Sequence, residues 1–385
     1  MTTSAATKHW TKGKLQDLVF FQRGFDITKA QQSEGPVPVI SSSGVTSFHS
    51  EAKAVGPGVV IGRKGTLGSV HYSEVDYWPH DTTLWSKDLR GHNPHFVYFY
   101  LHTINFKRFD VGNSNPTLNR NHIHDLPALI PPLDTQTRIA DILSAYDDLI
   151  ENNRRRMALL EDAARLLFRE WFIRLRFPGH EHTPITNGVP EGWERKRIGD
   201  VAECVGGGTP STAVPQYWDD GDVTWVTPTD VTRNSNFVLL DSEKKITEAG
   251  LQHSSAKLVP PHAVLMTSRA SVGFFAVANR KVCTNQGFIS ILPKAAHLWP
   301  YFLFHLSERV EEIRAMGSGS TYPEVSRGKF RELNVLMPKQ SLATAFCEQA
   351  AELLKQIHIL KQQNHKLRAA RDLLLPRLMS GEVAV

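Results

Sequence analysis

Apolar positions along the chain follow two kinds of pattern, and the pair of patterns occurs twice. Short runs rich in β-branched and aromatic residues, cut by Gly and Pro, fill the segment before residue 131 and again the segment after residue 193. Such runs predict strands joined by turns. Two aromatic runs among them, FVYFYL (96–101) and YFLFHL (301–306), are interleaved with aliphatics and predict buried core helices. Each mixed segment ends at a proline boundary, IPPL at 130–133 and MPKQ at 337–340. A stretch without Gly or Pro follows in each case, 135–171 and 339–375. These stretches predict two long helices.

The helices carry heptads. In the first, Leu143, Tyr146, Ile150, Asn153, Met157, Leu160, Ala164, Leu167 and Trp171 follow 3-4 spacing. In the second, Ala350, Leu353, Ile357, Leu360, Asn364, Leu367, Arg371, Leu374 and Leu378 repeat it. Sustained 3-4 spacing predicts a coiled coil. Antiparallel pairing about a pseudo-two-fold sets Asn153 opposite Asn364 and Met157 opposite Leu360, with Leu160 and Leu367 in the same seam. Tyr146 then faces Arg371, a cation–π arrangement. A polar pair in an apolar seam costs stability but fixes register.

The mixed segments are copies of one another. Trp10, Leu15 and Asp17 recur as Trp193, Ile198 and Asp200. Pro57-Gly58-Val59-Val60-Ile61 echoes Pro261-His262-Ala263-Val264-Leu265. Gly68, Gly112, Arg120, Leu126 and Pro131 recur as Gly273, Gly317, Arg327, Leu333 and Pro338, roughly 205 residues on. The predicted fold class is α+β: two similar mixed α/β domains joined by two long helices that form an antiparallel coiled coil, with pseudo-two-fold internal repeat. The boundaries are 1–132 for the first domain, 133–177 for the first helix, 178–192 for a Pro/Gly-rich linker, 193–338 for the second domain and 339–385 for the second helix.

Composition narrows the function. The chain of 385 residues has a net charge of +5. The excess lies in residues 1–132 and 339–385, while 178–338 is close to neutral. A mild positive charge hints at nucleic acid, with other charge supplied by partners. Three well-separated cysteines, Cys204, Cys283 and Cys347, do not suit a disulfide scaffold or a Cys-based zinc site, and point to the reducing cytoplasm. The start of the chain lacks a signal-peptide pattern, and no apolar run reaches the ~20 residues of a membrane helix.

Catalytic signatures are missing. There is no GxxxxGKS/T phosphate loop, no HExxH and no GxSxG. The Gly-rich stretches GRKGTLG (62–68) and VGGGTP (205–210) have the wrong spacing or context for nucleotides. Asp230, Glu243 and Lys245 resemble the carboxylates and lysine of metal-dependent nucleases, but the other half has no counterpart. His122 and His124 read as solvated turn histidines, and no metal site is expected.

The polar loops that recur in both halves suit DNA. Arg and Lys position phosphates and read guanine, and Asn and Gln read adenine. The first half offers Arg63, Lys64, Thr66, His80, Asp81, Thr82, Asn113, Asn115, Asn119 and Arg120. The second offers Ser268, Arg269, Asn285, Gln286, Ser318, Ser320, Tyr322 and Arg327.

Taken together, the constellation resembles the specificity subunit of a type I restriction–modification system. The carriers are the W-x4-L-x-D start at Trp10, Leu15 and Asp17 with its second copy near Trp193, and the turn Gly65-Thr66-Leu67-Gly68. NPTLNR (115–120), the L-x4-P-P-x3-Q stretch from Leu126 to Gln136, and the helix end LLFREWF (166–172) complete the set. SGSTYPEVSR (318–327) and LLLPRLMSGEV (373–383) depart from their first-half counterparts. The resemblance implies a non-catalytic cytoplasmic subunit with two target recognition domains, each reading one half of a split, asymmetric site in double-stranded DNA. It implies modification (methyltransferase) subunits as partners, carrying S-adenosylmethionine, and a restriction/motor subunit. This chain itself would bind no cofactor and no membrane. The competing readings are a coiled-coil scaffold that does not read DNA, and a nuclease built on Asp230, Glu243 and Lys245.

Overall fold

The computed structural model describes residues 9–109, 117–318 and 323–385. Its contacts divide the chain into two units, Met1–Ile150 with Lys366–Val385, and Glu151–His365. Each holds one mixed domain and a portion of both long helices.

In the first unit, strand Gly58–Gly62 is buried along its whole length. Successive side chains of a strand point to opposite faces. Val59 and Ile61 pack with Leu84, Phe96 and Leu101 on one face, and Val60 packs with Ile40, Ala54 and Tyr77 on the other. The strand therefore needs apolar residues at every position. It belongs to a four-stranded antiparallel sheet in the order Phe20–Arg23, Thr83–Asp88, Gly58–Gly62, Val70–Ser73. Helix Pro94–His102 carries the aromatic run and buries Phe96, Val97, Phe99, Tyr100 and Leu101. Its start is fixed by Pro94 at the first helical position and by Asn93, whose side chain accepts the Phe96 N–H at 3.0 Å. A three-stranded sheet, Gly44–His49, Val37–Ser41 and Trp78–Pro79, supplies the second layer. Thr11–Lys14 pairs with Pro127–Ile130.

The second unit repeats this plan. Its main sheet runs Ala202–Gly206, Phe288–Pro293, Val264–Thr267, Phe275–Ala278. A fifth strand, Val238–Leu239, joins parallel to the last. The smaller sheet is Lys244–Ile246, Val223–Val226 and Cys283–Thr284. Glu194–Arg197 pairs with Asn334–Met337 in the same register that Thr11–Lys14 keeps with Pro127–Ile130. The repeat reaches single hydrogen bonds. Gly68 N–H donates to Gly62 O at 2.8 Å, and Gly273 N–H to Thr267 O at 2.9 Å. Both glycines have positive φ, +74° and +87°. A Cβ at Gly68 would lie 2.3 Å from Phe106 Cβ, and one at Gly273 would lie 2.5 Å from Val310 Cγ2. Only glycine fits either turn.

The first long helix spans Leu133–Phe168 and continues into a π-helical turn, Arg169–Ile173. The second spans Gln340–Met379. Gln136, the last position of the L-x4-P-P-x3-Q stretch, is buried at the start of the first helix. It accepts the Asn93 N–H at 3.0 Å and donates to Pro131 O at 2.8 Å. In the second unit, Asn153 Nδ2 donates to Asn364 Oδ1 at 2.8 Å. Met157, Leu360, Ile357 and Ala164 share the surrounding core, with Leu160 partly buried against it. Phe168 meets Phe346 at 5.6 Å between ring centroids. Positions rise along one helix as they fall along the other, so the pairing is antiparallel. Leu354 is buried in place of Leu353, because that turn also packs on the mixed domain.

In the first unit, Ile139 and Leu143 share a core with Leu378 and Met379, and Leu367 is half-buried. Here one expectation fails. Arg371 does not take the Tyr146 ring; its guanidinium pairs with Asp147 and, at 2.8 Å, with Asp372. A full negative charge attracts a guanidinium more strongly than a ring quadrupole does.

The three cysteines are buried and unbridged. Burial pushes the Cys204 thiol up to about 11 and those of Cys283 and Cys347 up to about 12, so they act as packing groups. Among the described residues no helix is long and apolar enough to cross a membrane.

Candidate nucleic-acid interface

Three loops of the first unit that are far apart in sequence meet at one end of its main sheet. Arg63 N–H and Lys64 N–H both donate to Thr82 O, at 2.8 and 3.1 Å, and Leu118 N–H donates to Arg63 O at 2.9 Å. Leu118 is fully buried and anchors its segment, leaving Asn119 and Arg120 exposed beside it. A cleft of about 880 Å³ opens there, lined by Arg23, Asp26, Arg63, Asn119, Arg120 and His122 among others.

Arg23 and His80 share the Asp81 carboxylate beside this cleft. Arg23 Nη2 donates to Asp81 Oδ2 at 3.1 Å, and His80 Nδ1 lies 3.1 Å from Asp81 Oδ1 and from Thr82 Oγ1. Asp26, His80 and Asp81 bring ligand-type atoms within 4.8 Å of one another, and Arg23 answers the charge of Asp81. Arg63 is half-buried. Desolvation holds its guanidinium below the usual arginine range, the Arg23 charge adds to this, and Asp81 opposes it. Its Nη1 is buried without a hydrogen-bond partner among the described residues.

The second unit builds the same frame. Ser268 N–H donates to Gly287 O at 2.7 Å, and Val325 N–H to Ser268 O at 2.9 Å. These are the counterparts of the Arg63–Thr82 and Leu118–Arg63 bonds. Asn285 Oδ1 accepts the Gly287 N–H at 3.0 Å, and Gln286 Oε1 accepts from Thr209 Oγ1. Arg269 pairs with Glu324 at 3.6 Å. Arg327 begins helix Arg327–Arg331, which Ser326 caps. Its guanidinium carbon lies 3.2 Å from where a Cβ on Gly206 would be.

Comparison with known proteins decides the family. Residues 7–162 and 190–367 match the type I restriction modification DNA specificity domain. The chain belongs to the type I restriction–modification DNA specificity family. It is 35% identical over 162 residues to the type I restriction enzyme MjaIX specificity subunit of Methanocaldococcus jannaschii, covering 40% of this chain and 37% of that relative. In that match the chain spans well under half of the relative's length. It is 22% identical over 358 residues to the type I restriction enzyme HindI specificity subunit of Haemophilus influenzae, covering 75% of this chain and 77% of the relative. Its fold is similar to the crystal structure of the type I restriction–modification S subunit from M. genitalium, with a TM-score of 0.65, 14% identity and 98% of each chain covered.

Within this family member, the loops singled out from sequence do converge in each unit, but individual side chains differ in fate. Lys64, His80, Asp81, Thr82 and Asn285 are half-buried, and Thr66, Arg269, Gln286, Ser318 and Arg327 are exposed. Ser268 is a correction: it is 3% exposed, and its backbone ties two loops together, so it holds the frame instead of facing outward. Asn113, Asn115, Ser320 and Tyr322 lie outside the described residues. His124 is a second correction. It is buried, and its Nε2 accepts the Phe21 N–H at 3.0 Å.

The nuclease geometry does not assemble. Asp230 spends one carboxylate oxygen on Thr227 and the other on the Glu243 N–H at 2.9 Å. Glu243 reaches towards Arg233 at 4.0 Å, and Lys245 pairs with Asp241 at 3.1 Å.

Sequence reasoning passed over Arg23 and Asp26, which flank Gly24. A signal was present in the repeat. A Cβ at Gly24 would lie 2.1 Å from His80 O, and one at Gly207 would lie 2.1 Å from Asn285 O. The paired glycines mark where this segment presses on the loop at residue 80 and, in the second unit, on the loop at residue 285.

Proposed function

We propose that the chain is the DNA-reading subunit of a type I restriction–modification enzyme, itself without catalytic activity, and that its two units read the two halves of a split site in double-stranded DNA. The observation that carries this is the duplicated hydrogen-bond frame. The Arg63–Thr82 and Leu118–Arg63 bonds gather polar loops in one unit, and the Ser268–Gly287 and Val325–Ser268 bonds gather different polar loops in the other. A shared frame with unlike side chains suits an asymmetric site. The long helices set the gap: the 36 residues of the first are roughly 54 Å of helix, more than the ~34 Å of one DNA turn.

The same helices dock partner subunits. Leu159, Leu166 and Ile173 are 69%, 53% and 57% exposed and recur every seven residues, an apolar stripe suited to another helix. Ile142 and Leu149 recur likewise in the first unit. Modification subunits bound there carry S-adenosylmethionine and flip the target base for methyl transfer, and a restriction/motor subunit joins them. The assembly works on cellular DNA in the cytoplasm.

The test is to map methylated positions in DNA from cells expressing the chain with its modification subunits. A recurrent split motif is expected. Methylation that occurs equally with and without this chain, or no motif at all, overturns the reading and leaves a scaffold.

A further inference from the structure

The two units keep one frame but differ in what stands at matched places. The first has Arg23, Asp26, Arg63 and Asp81. The second has Gly206, Thr209, Ser268 and Gln286. An ionic set is replaced by a glycine, two hydroxyls and an amide.

The four first-unit residues that differ from their counterparts are close to balanced, two guanidiniums against two carboxylates, and Arg120, matched by Arg327 in the second unit, stands apart from them. Arg23 and Arg63 face the same cleft as Asp26, and Asp81 holds Arg23 by one nitrogen. A guanidinium has five N–H donors, so Arg23 keeps donors for a ligand. Arg63 Nη1 is buried and short of an acceptor. A phosphate does not suit the place between Arg23 and Asp26, because Asp26 and Asp81 oppose a second anion there, whereas the exposed Arg120 guanidinium in the same cleft is open to one. A neutral edge with acceptors on one side and a donor on the other does suit it. The major-groove edge of a G·C pair is such an edge: guanine O6 and N7 accept, and the cytosine N4 amine donates.

In the second unit, Thr209 fixes one side of the Gln286 amide through Oε1, as Asp81 fixes Arg23. Gln286 is exposed, and an amide pairs in two points with adenine N6 and N7. The Arg327 guanidinium lies over Gly206, and Arg269 is engaged by Glu324.

We infer that the cleft of the first unit reads a G·C pair, with Arg23 on guanine and Asp26 on the cytosine amine, and that Gln286 of the second unit reads an A·T pair in the other half-site. This rests on the DNA-reading function proposed above.

The test uses the full chain assembled with its modification subunits and a pool of DNA duplexes randomised over about 30 base pairs. The wild-type complex enriches a split site with a G·C pair in the half governed by the first unit. Arg23→Gln relaxes discrimination at that pair about 10-fold and leaves the other half unchanged. Arg23→Lys does the same, because it keeps the charge but loses the planar fork. Asp26→Asn alters preference at the same pair, and Gln286→Ala relaxes one A·T pair in the other half only. Thermal melting confirms that each variant is folded. If Arg23→Gln weakens all sequences equally and Arg23→Lys restores them, the residue grips phosphate and the inference is overturned while DNA reading stands. If the wild-type complex enriches no sequence, the inference and the proposed function fall together.

Discussion

Asn153 and Asn364 meet side chain to side chain at 2.8 Å, 6% and 2% exposed, inside an otherwise apolar seam between the two long helices. The Asn153 amide donates to the Asn364 carbonyl oxygen in a buried place, so removing one partner should cost more than removing both. Asn153→Leu should destabilise the second unit by about 1–3 kcal/mol, because the buried Asn364 carbonyl oxygen loses the Asn153 amide donor. Asn153→Leu with Asn364→Leu should recover most of that loss while weakening the preference for a single register. Denaturant melts in a double-mutant cycle measure this. Additive losses would show that the pair is not coupled.

Glu161 ties the first helix to the mixed domain of the second unit. Its Oε2 accepts the Phe237 N–H at 2.7 Å and its Oε1 accepts from Arg165, whose guanidinium lies 4.1 Å from the Phe237 ring centre. Lys361 on the other helix holds the same turn through Val238 O at 2.6 Å. Glu161→Ala should cost about 1–3 kcal/mol by stranding a buried N–H. It should also speed hydrogen exchange at the Phe237 amide before any global loss of protection. Unchanged exchange at Phe237 would refute the clamp.

Two buried histidines make stability depend on pH. Burial, with the nearby Arg309 charge, pushes His305 down to about 3, and its Nε2 accepts from Arg309 Nη1 at 3.1 Å. His124 is lowered by burial and then by Arg120, and its Nε2 must stay unprotonated to accept the Phe21 N–H. In both cases the folded value lies below the ordinary imidazole value of about 6.5, so the unfolded chain takes up the proton first. Their contribution is intact above about pH 6.5 and declines as the pH falls. The melting temperature should therefore drop between pH 7 and pH 5, less steeply in His305→Phe than in wild type. A flat profile over that range contradicts this.

Most of the architecture was legible because it rests on periodicity and repetition. The heptads named Asn153, Met157, Leu360 and Asn364 together, since helix geometry alone places such positions on one face. The loops that converge were legible from the repeat, because duplicated turns need the same glycines, as at Gly68 and Gly273. What escaped was decided by neighbours in space. Asp147 takes Arg371 from Tyr146, and Ser268 and His124 go inward because packing covers them. Arg23 and Asp26 look like ordinary strand-end residues until Gly24 brings their segment against His80.

The most direct test of two readers joined by a helical spacer is a change in spacer length. One heptad added to each long helix, beside Asn153 and Asn364, preserves the 3-4 seam and lengthens it by about 10 Å, about three base pairs of DNA. Sites selected from randomised DNA by the assembled complex should then keep both half-site sequences and differ only in a gap wider by about three base pairs. Altered half-sites, or an unchanged gap, would contradict the account.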